Sequence, residues 1–206
     1  MRFPLKNIYC VARNYALHAK ELNNEIPDEP VIFLKSTTSV RSLSQGDIAF
    51  PDEQFHYEAE VVCLIGKDTS MGDNLSIDVI DSFALGIDLT RRKKQTELKK
   101  KGHPWTLSKS FYGSALIGEF KSRELFQNPK NISFKFKLND VLKQNGNTKN
   151  MIFSLEKILN YLNSFTPLLQ GDIIFTGTPE GVGHIQKGDS FELEFPEIGH
   201  KEKGHL

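Results

Sequence analysis

Apolar and polar residues alternate most cleanly in "ISFKFKLN" (132–139), where Ile132, Phe134, Phe136 and Leu138 share one face and predict a half-buried strand. "VIFLK" (31–35) and the short apolar start at residues 8–11 predict two more. In "HYEAEVVCLIG" (56–66), Val61, Val62, Leu64 and Ile65 predict a buried strand ending at Gly66. "SFALGIDLTRR" (82–92) is a second apolar run, and it ends in Asp88. Gly-Asp opens "GDIAF" (46–50), "GDIIFTGTP" (171–179) and "GDSFELEF" (188–195), each a turn followed by alternation. Two segments carry a helical period. "RNYALHAKELNN" (13–24) predicts a helix that stops near Asn23 and Asn24, ahead of Pro27 and Pro30. "SLEKILNYLNSF" (154–165) predicts an amphipathic helix capped by Ser154, with Leu155, Ile158, Leu159 and Leu162 inward. "KKK" (99–101) reads as a solvated helix end, and the tail "GHKEKGHL" (199–206) lacks the alternation of a closing strand. The balance is mainly β (α+β) with a few helices, without the regular strand–helix alternation of a doubly wound sheet.

Composition narrows this picture. The 206 residues suit one domain spanning 1–206, and no repeat or linker divides them. The charged fraction is 25% with zero formal net charge, so an electrostatic function must be local. "RRKK" (91–94) and "KKK" hold no aromatic for base stacking, and no nucleic-acid partner is expected. No run reaches the roughly 18 apolar residues of a membrane span, and "MRFPLKNIYCVARNY" has no signal-type stretch, so a cytoplasmic, membrane-free protein is expected. Two cysteines, Cys10 and Cys63, are too few for a disulfide framework and read as buried thiols.

Glu58 and Glu60 stand one residue apart and therefore project to one side of a strand. Like charges so placed raise each other's pKa or demand a cation. Asp88 supplies a third carboxylate from another strand end, giving an all-oxygen set that suits magnesium or manganese. Acids on a strand rim are also commonly just solvated, and residue types alone leave both readings open. His18 and Glu21, three apart on the first predicted helix, share a face, as catalytic pairs and ordinary surface pairs both do.

"HYEAEVVCLIG", "GIDLT", "KKKGHPWTLSKSF" and "GDIIFTGTPEGVG", in this order, resemble the fumarylacetoacetate hydrolase family, particularly its small acylpyruvase and oxaloacetate decarboxylase branch. "VARNYALHAKEL" and "EPVIFLKSTTS" fit as well, and the resemblance covers residues 6–195. It implies a mixed β-roll with a few short helices, an amino-terminal lid helix and a homodimer. It implies Glu58, Glu60 and Asp88 as ligands of Mg2+ or Mn2+, which grips the 1-carboxylate and 2-oxo oxygen of a small 2-oxo-acid substrate. Lys109 would attend the enolate oxygen, and its alternation with Leu107 and Phe111 points to a partly enclosed segment. His18 would be the general base on the lid, with Glu21 orienting it; Arg92 and Gln95 would hold substrate oxygens, and Thr178 the substrate carboxylate.

The implied reaction is hydrolysis of the C–C bond of acylpyruvates. Oxaloacetate decarboxylation is the alternative within the same enolate chemistry, and isomerases and dehydratases belong to the same family. A catalytically inactive metal- or anion-binding member is the alternative from another class. Ala12, Leu17 and Ser36 depart from the usual motif residues. Lys93 stands where the family carries an acid, and so either leaves Arg92 without its partner or marks a more anionic substrate such as a dicarboxylate.

Overall fold

A computed structural model describes residues 3–22, 25–43 and 54–206. The predicted strand at 46–50 and the predicted helix stop at Asn23 and Asn24 lie outside the described residues. In chain order the strands are β1 (Ile8–Ala12), β2 (Val31–Lys35), β3 (Val40–Ser42), β4 (Phe55–Tyr57), β5 (Ala59–Ile65), β6 (Ile80–Asp88) and β7 (Ala115–Ile117). There follow β8 (Lys121–Ser122), β9 (Ser133–Leu138), β10 (Val141–Asn147), β11 (Ile173–Phe175), β12 (Gly183–Ile185), β13 (Ser190–Phe195) and β14 (His200–His205). The α-helices are α1 (Ala16–Glu21), α2 (Arg92–Lys100), α3 (Thr106–Lys109) and α4 (Leu155–Asn163). The fold is mainly β, as the alternation predicts.

An eight-stranded curled sheet runs β2-β1-β11-β5-β6-β7-β3, with β8 attached to β6. Its β1–β11 and β3–β7 pairs are parallel and its remaining pairs antiparallel. A second sheet runs β10-β9-β13-β14, and β12 pairs β4. Because strand side chains alternate, β5 feeds two cores. Val61, Cys63 and Ile65 join the large cluster shared with the second sheet and with Leu155, Ile158, Leu159 and Leu162 of α4. Val62 and Leu64 join a smaller cluster inside the curl, together with Ile8, Ala84, Ile117 and Phe175. The tight curl needs a glycine at Gly86, where a Cβ would meet Leu116 O and Val62 Cγ2 at 2.8 Å. Truncating a buried leucine of the α4 stripe, such as Leu162, would cost about 2–5 kcal/mol. Ser154 caps α4 as predicted, its hydroxyl accepting from Lys157 N at 3.3 Å. Both cysteines are buried thiols, and burial raises their pKa values.

Three sequence expectations are corrected. Helix α1 is shorter than 13–24 because Asn14 is taken by other segments. Its amide donates to Thr176 O (2.8 Å) and Phe153 O (3.1 Å), and its Oδ1 accepts from Phe153 N (2.7 Å). This leaves Tyr15 extended and Arg13 at φ 57°. The tail does form a strand, β14. Its exposed face is matched by charge rather than by apolar residues, with Glu192 opposite Lys203 and Glu194 opposite Lys201. The segment around Lys109 is the helical turn α3, not an alternating one: Leu107 is 62% exposed while Lys109 is buried. No helix among the described residues is long and apolar enough to cross a membrane.

Candidate metal centre and active site

The register of β5 on β6 sets Glu60 beside Gly86, two residues before Asp88. Glu58 occupies the break between β4 and β5, and its carbonyl accepts from Asp88 N at 2.8 Å. The three carboxylates are 6%, 3% and 1% exposed for Glu58, Glu60 and Asp88, and one oxygen of each lies within 4.8 Å of the others. Among the described residues this is the only such group of histidine, cysteine or acidic side chains.

Cations surround two of the three. Lys109 Nζ donates to Glu58 Oε2 (2.6 Å) and Asp88 Oδ2 (2.7 Å). Lys35 Nζ lies 2.8 Å from Asp88 Oδ1 and donates to Ser114 O and Oγ, each at 3.0 Å, and to the Lys109 carbonyl. Arg92 pairs with the other Glu58 oxygen and donates to Gln95 Oε1 at 2.6 Å. Burial alone would push the Glu58 carboxyl upward, but Lys109 and Arg92 outweigh it and hold the group below the usual range. Lys109 likewise loses by burial and gains more from Asp88 and Glu58, so its pKa is raised.

Glu60 differs. Its hydrogen-bond partner is the backbone N–H of Gly177, at 2.6 Å, and no cation pairs with it among the described residues. Burial first, and then the charges of Asp88 and Glu58, raise its pKa well above the carboxylate norm. Gly177 makes the approach possible: at φ 101°, a side chain there would strike Asn14 Cβ at 2.8 Å. A buried carboxylate without an ion-pair partner, inside an all-oxygen set, fits a hard divalent cation.

Around this cluster the remaining predicted residues gather. Val11, Ala12, Arg13, His18, Phe33, Arg92, Gln95, Lys99, Trp105, Lys109 and Thr178 line a cavity with the three acids. Its free volume is about 30 Å³, room for a water and far short of a ligand pocket. Helix α1 closes it: His18 is buried within, and Glu21 accepts from Gly181 N at 3.2 Å, tying the helix to the glycine loop. His18 Nδ1 lies 3.5 Å from Glu21 Oε2, longer than an ordinary hydrogen bond. Burial lowers the imidazole pKa, leaving it neutral near pH 7.

Thr178 faces the cavity, but its hydroxyl donates to Ala59 O (2.9 Å) and accepts from Gln144 Nε2 (2.8 Å). A substrate carboxylate gains that proton only by displacing the Ala59 bond. Gln144, from the second sheet, also accepts from Ala59 N at 3.0 Å and so clamps the first residue of β5, between the two glutamates. Sequence reasoning missed Gln144 and Lys35, because one polar residue in a strand ordinarily reads as solvated. The solvated helix end read at 99–101 is exposed as expected, and Lys99 also reaches the rim of the cavity. Lys93 lies elsewhere, on a surface hollow with Lys94 and His184, and Arg92 keeps its partners without an acid at 93.

The model described as "Fumarylacetoacetate (FAA) hydrolase C-terminal" matches residues 7–203. The oxaloacetate tautomerase FAHD1, mitochondrial, of Bos taurus is 39% identical over 190 residues, covering 91% of this chain and 86% of that protein. The oxaloacetate decarboxylase, mitochondrial, of Dictyostelium discoideum is 39% identical over 186 residues, covering 89% and 85%. Among solved structures, fumarylpyruvate hydrolase from Pseudomonas aeruginosa, in complex with Mn2+ and pyruvate, superposes with a TM-score of 0.88 at 30% identity, covering 98% of this chain and 90% of its own. With the family model matched nearly end to end, the chain belongs to the fumarylacetoacetate hydrolase family and is an enzyme.

Proposed function

We propose that this enzyme uses a divalent cation to form and protonate the enolate of a small 2-oxo acid, with oxaloacetate as substrate. The observation that carries the proposal is the buried trio Glu58, Glu60 and Asp88, in which Glu60 has no ion-pair partner among the described residues and keeps a raised pKa despite nearby Lys109. These three would hold Mg2+ or Mn2+, which when bound supplies Lewis acidity toward the 1-carboxylate and 2-oxo oxygen. Lys109, held raised in pKa and therefore charged, would lie by the developing enolate oxygen. Arg92 and Gln95, already bonded to each other, would orient substrate oxygens, with Thr178 receiving the 1-carboxylate. In decarboxylation the C3–C4 bond breaks, CO2 leaves, and a proton arrives at C3. Tautomerisation needs only the proton moved between C3 and the C2 oxygen. Relatives named oxaloacetate tautomerase and decarboxylase favour these steps over acylpyruvate hydrolysis, which the sequence placed first.

Hydrolysis is the second reading, and the His18–Glu21 pair favours it. A buried neutral imidazole steered by a carboxylate suits the activation of a water. An inactive member loses its motives, because Arg92 is partnered and the tail is an ordered strand. The same reading carries one catalytic domain over residues 1–206, a homodimer testable by light scattering, and a cytoplasmic setting testable by cell fractionation.

Ultraviolet assays of oxaloacetate and acetylpyruvate, each with and without chelator, test the proposal. A chelator-indifferent rate sinks it. His18→Ala then separates the reactions: hydrolysis falls by about 10²-fold or more, while decarboxylation stays within about ten-fold.

A further inference from the structure

Helix α2 presents Arg92, Gln95 and Lys99 at i, i+3 and i+7, one face of a helix, and all three line the cavity. From its far end the cavity is walled by aromatic rings. Lys109 Nζ sits 5.1 Å from the Phe33 ring, Phe33 packs at 6.0 Å on Trp105, and Lys99 Nζ sits 5.1 Å over Trp105. Two ammonium groups thus mark opposite ends of one aromatic wall. The inner one, Lys109, is neutralised by Glu58 and Asp88. The outer one has no carboxylate beside it among the described residues that line the cavity, since all three acids there belong to the inner cluster.

Arg13 joins Lys99 on this wall. Its φ of 57° is unfavourable for a residue that carries a Cβ, and the three hydrogen bonds of Asn14 hold it there. The pKa of Lys99 is depressed by burial first and then by the charges of Arg13 and Arg92, which Glu58 only partly offsets, so the cations there are crowded.

We infer that Lys99 and Arg13 are specificity residues that receive the distal carboxylate of a dicarboxylic 2-oxo acid, while the 2-oxo-acid end is held at the acidic cluster. The inference rests on the enolate reading of the site. It assigns to Lys99 the role that the sequence offered for Lys93, which faces a different hollow.

The test is calorimetric titration of the Mn2+-loaded protein with pyruvate and with 3-phosphonopyruvate, a 2-oxo acid whose distal anion does not leave as CO2. Wild type prefers 3-phosphonopyruvate. Lys99→Met lowers that preference by about ten-fold, and adding Arg13→Asn, a residue tolerant of the same backbone, lowers it further. Lys93→Met removes an equal charge from the neighbouring face and leaves the preference unchanged. The inference is overturned if Lys99→Met weakens both ligands equally, if Lys93→Met acts as strongly, or if neither ligand binds. If the preference obeys these rules but oxaloacetate is not turned over, the assigned reaction fails and the specificity role stands.

Discussion

Glu60 and Asp88 hang from adjacent strands of the large sheet, whereas Arg92, Gln95 and Lys99 hang from α2, a nine-residue helix at the cavity's flank. The strand-borne side is fixed by a ladder with a seven-residue β5 and a nine-residue β6, both buried throughout apart from Asp81. Its carboxylates cannot move apart without breaking that register. On the helix-borne side Arg92 is held in the cavity by Glu58 and Gln95, whereas Lys99 is exposed and rests, among the described residues, only over the Trp105 ring. On the proposed reading, the sheet fixes where the chemistry occurs, and the helix face leaves room to vary what is recognised.

Breaking the strand-borne side gives the largest effect. Asp88→Asn preserves shape while removing a charge and turning one of the two oxygens that face Lys35 and Lys109 into an N–H donor. Mn2+ affinity and turnover should both fall on the order of 10³-fold. A variant that binds Mn2+ normally would disprove the assignment of Asp88 as a ligand.

The same substitution made on each side sharpens the contrast. Lys35 is fully buried and joins Asp88 to the Lys109 and Ser114 carbonyls. Lys35→Met leaves Asp88 and those carbonyls short of a donor and should cost about 3–5 kcal/mol in a urea melt. Lys99→Met, at the exposed end of α2, should change stability by less than about 0.5 kcal/mol. Equal losses would mean the two sides are not built differently.

This difference also governs what was legible in the sequence. Strand alternation revealed β9 and β13, the apolar run 31–35 revealed β2, and the Glu58–Glu60 spacing with the run ending at Asp88 revealed the acidic cluster. Period-two patterns report burial directly, so residues near a strand's apolar run are well placed by them. On the helix face of α2, Arg92 and Gln95 were named as site residues only through the family resemblance and Lys99 not at all, for the opposite reason. Its i, i+3, i+7 stripe is polar, and a polar stripe looks like solvent when the partner is a ligand. Arg13 and Asn14 were misassigned to a helix because the pull on Asn14 comes from Phe153 and Thr176, far along the chain. Gln144 and Lys35 each act through one long-range contact, which no local pattern announces. β14 was missed because an edge strand held by matched charges has no apolar period.

The smallest expected effect is a pH dependence, and it belongs to the strand-borne side alone. Glu60 is raised above its ordinary 4.5, so the metal-free folded protein holds a proton there that the unfolded chain has already lost. A group of this kind favours folding fully below pH 4.5 and ceases to do so as pH climbs through its folded value. A cation needs the ionised form, so binding must expel that proton. Mn2+ affinity should therefore rise with pH by up to about ten-fold per unit while Glu60 remains protonated in the free protein, and level off above. Glu58, held low by Lys109 and Arg92, is already ionised across this window and adds no slope. Glu60→Gln should flatten the dependence and raise the melting temperature of the metal-free protein near neutral pH, because the neutral amide folds without the proton uptake that Glu60 requires. Mn2+ titrations at a series of pH values on both proteins decide it: an unchanged slope in the variant would place the released proton elsewhere, and Glu60 would not be the unpaired acid that the cation completes.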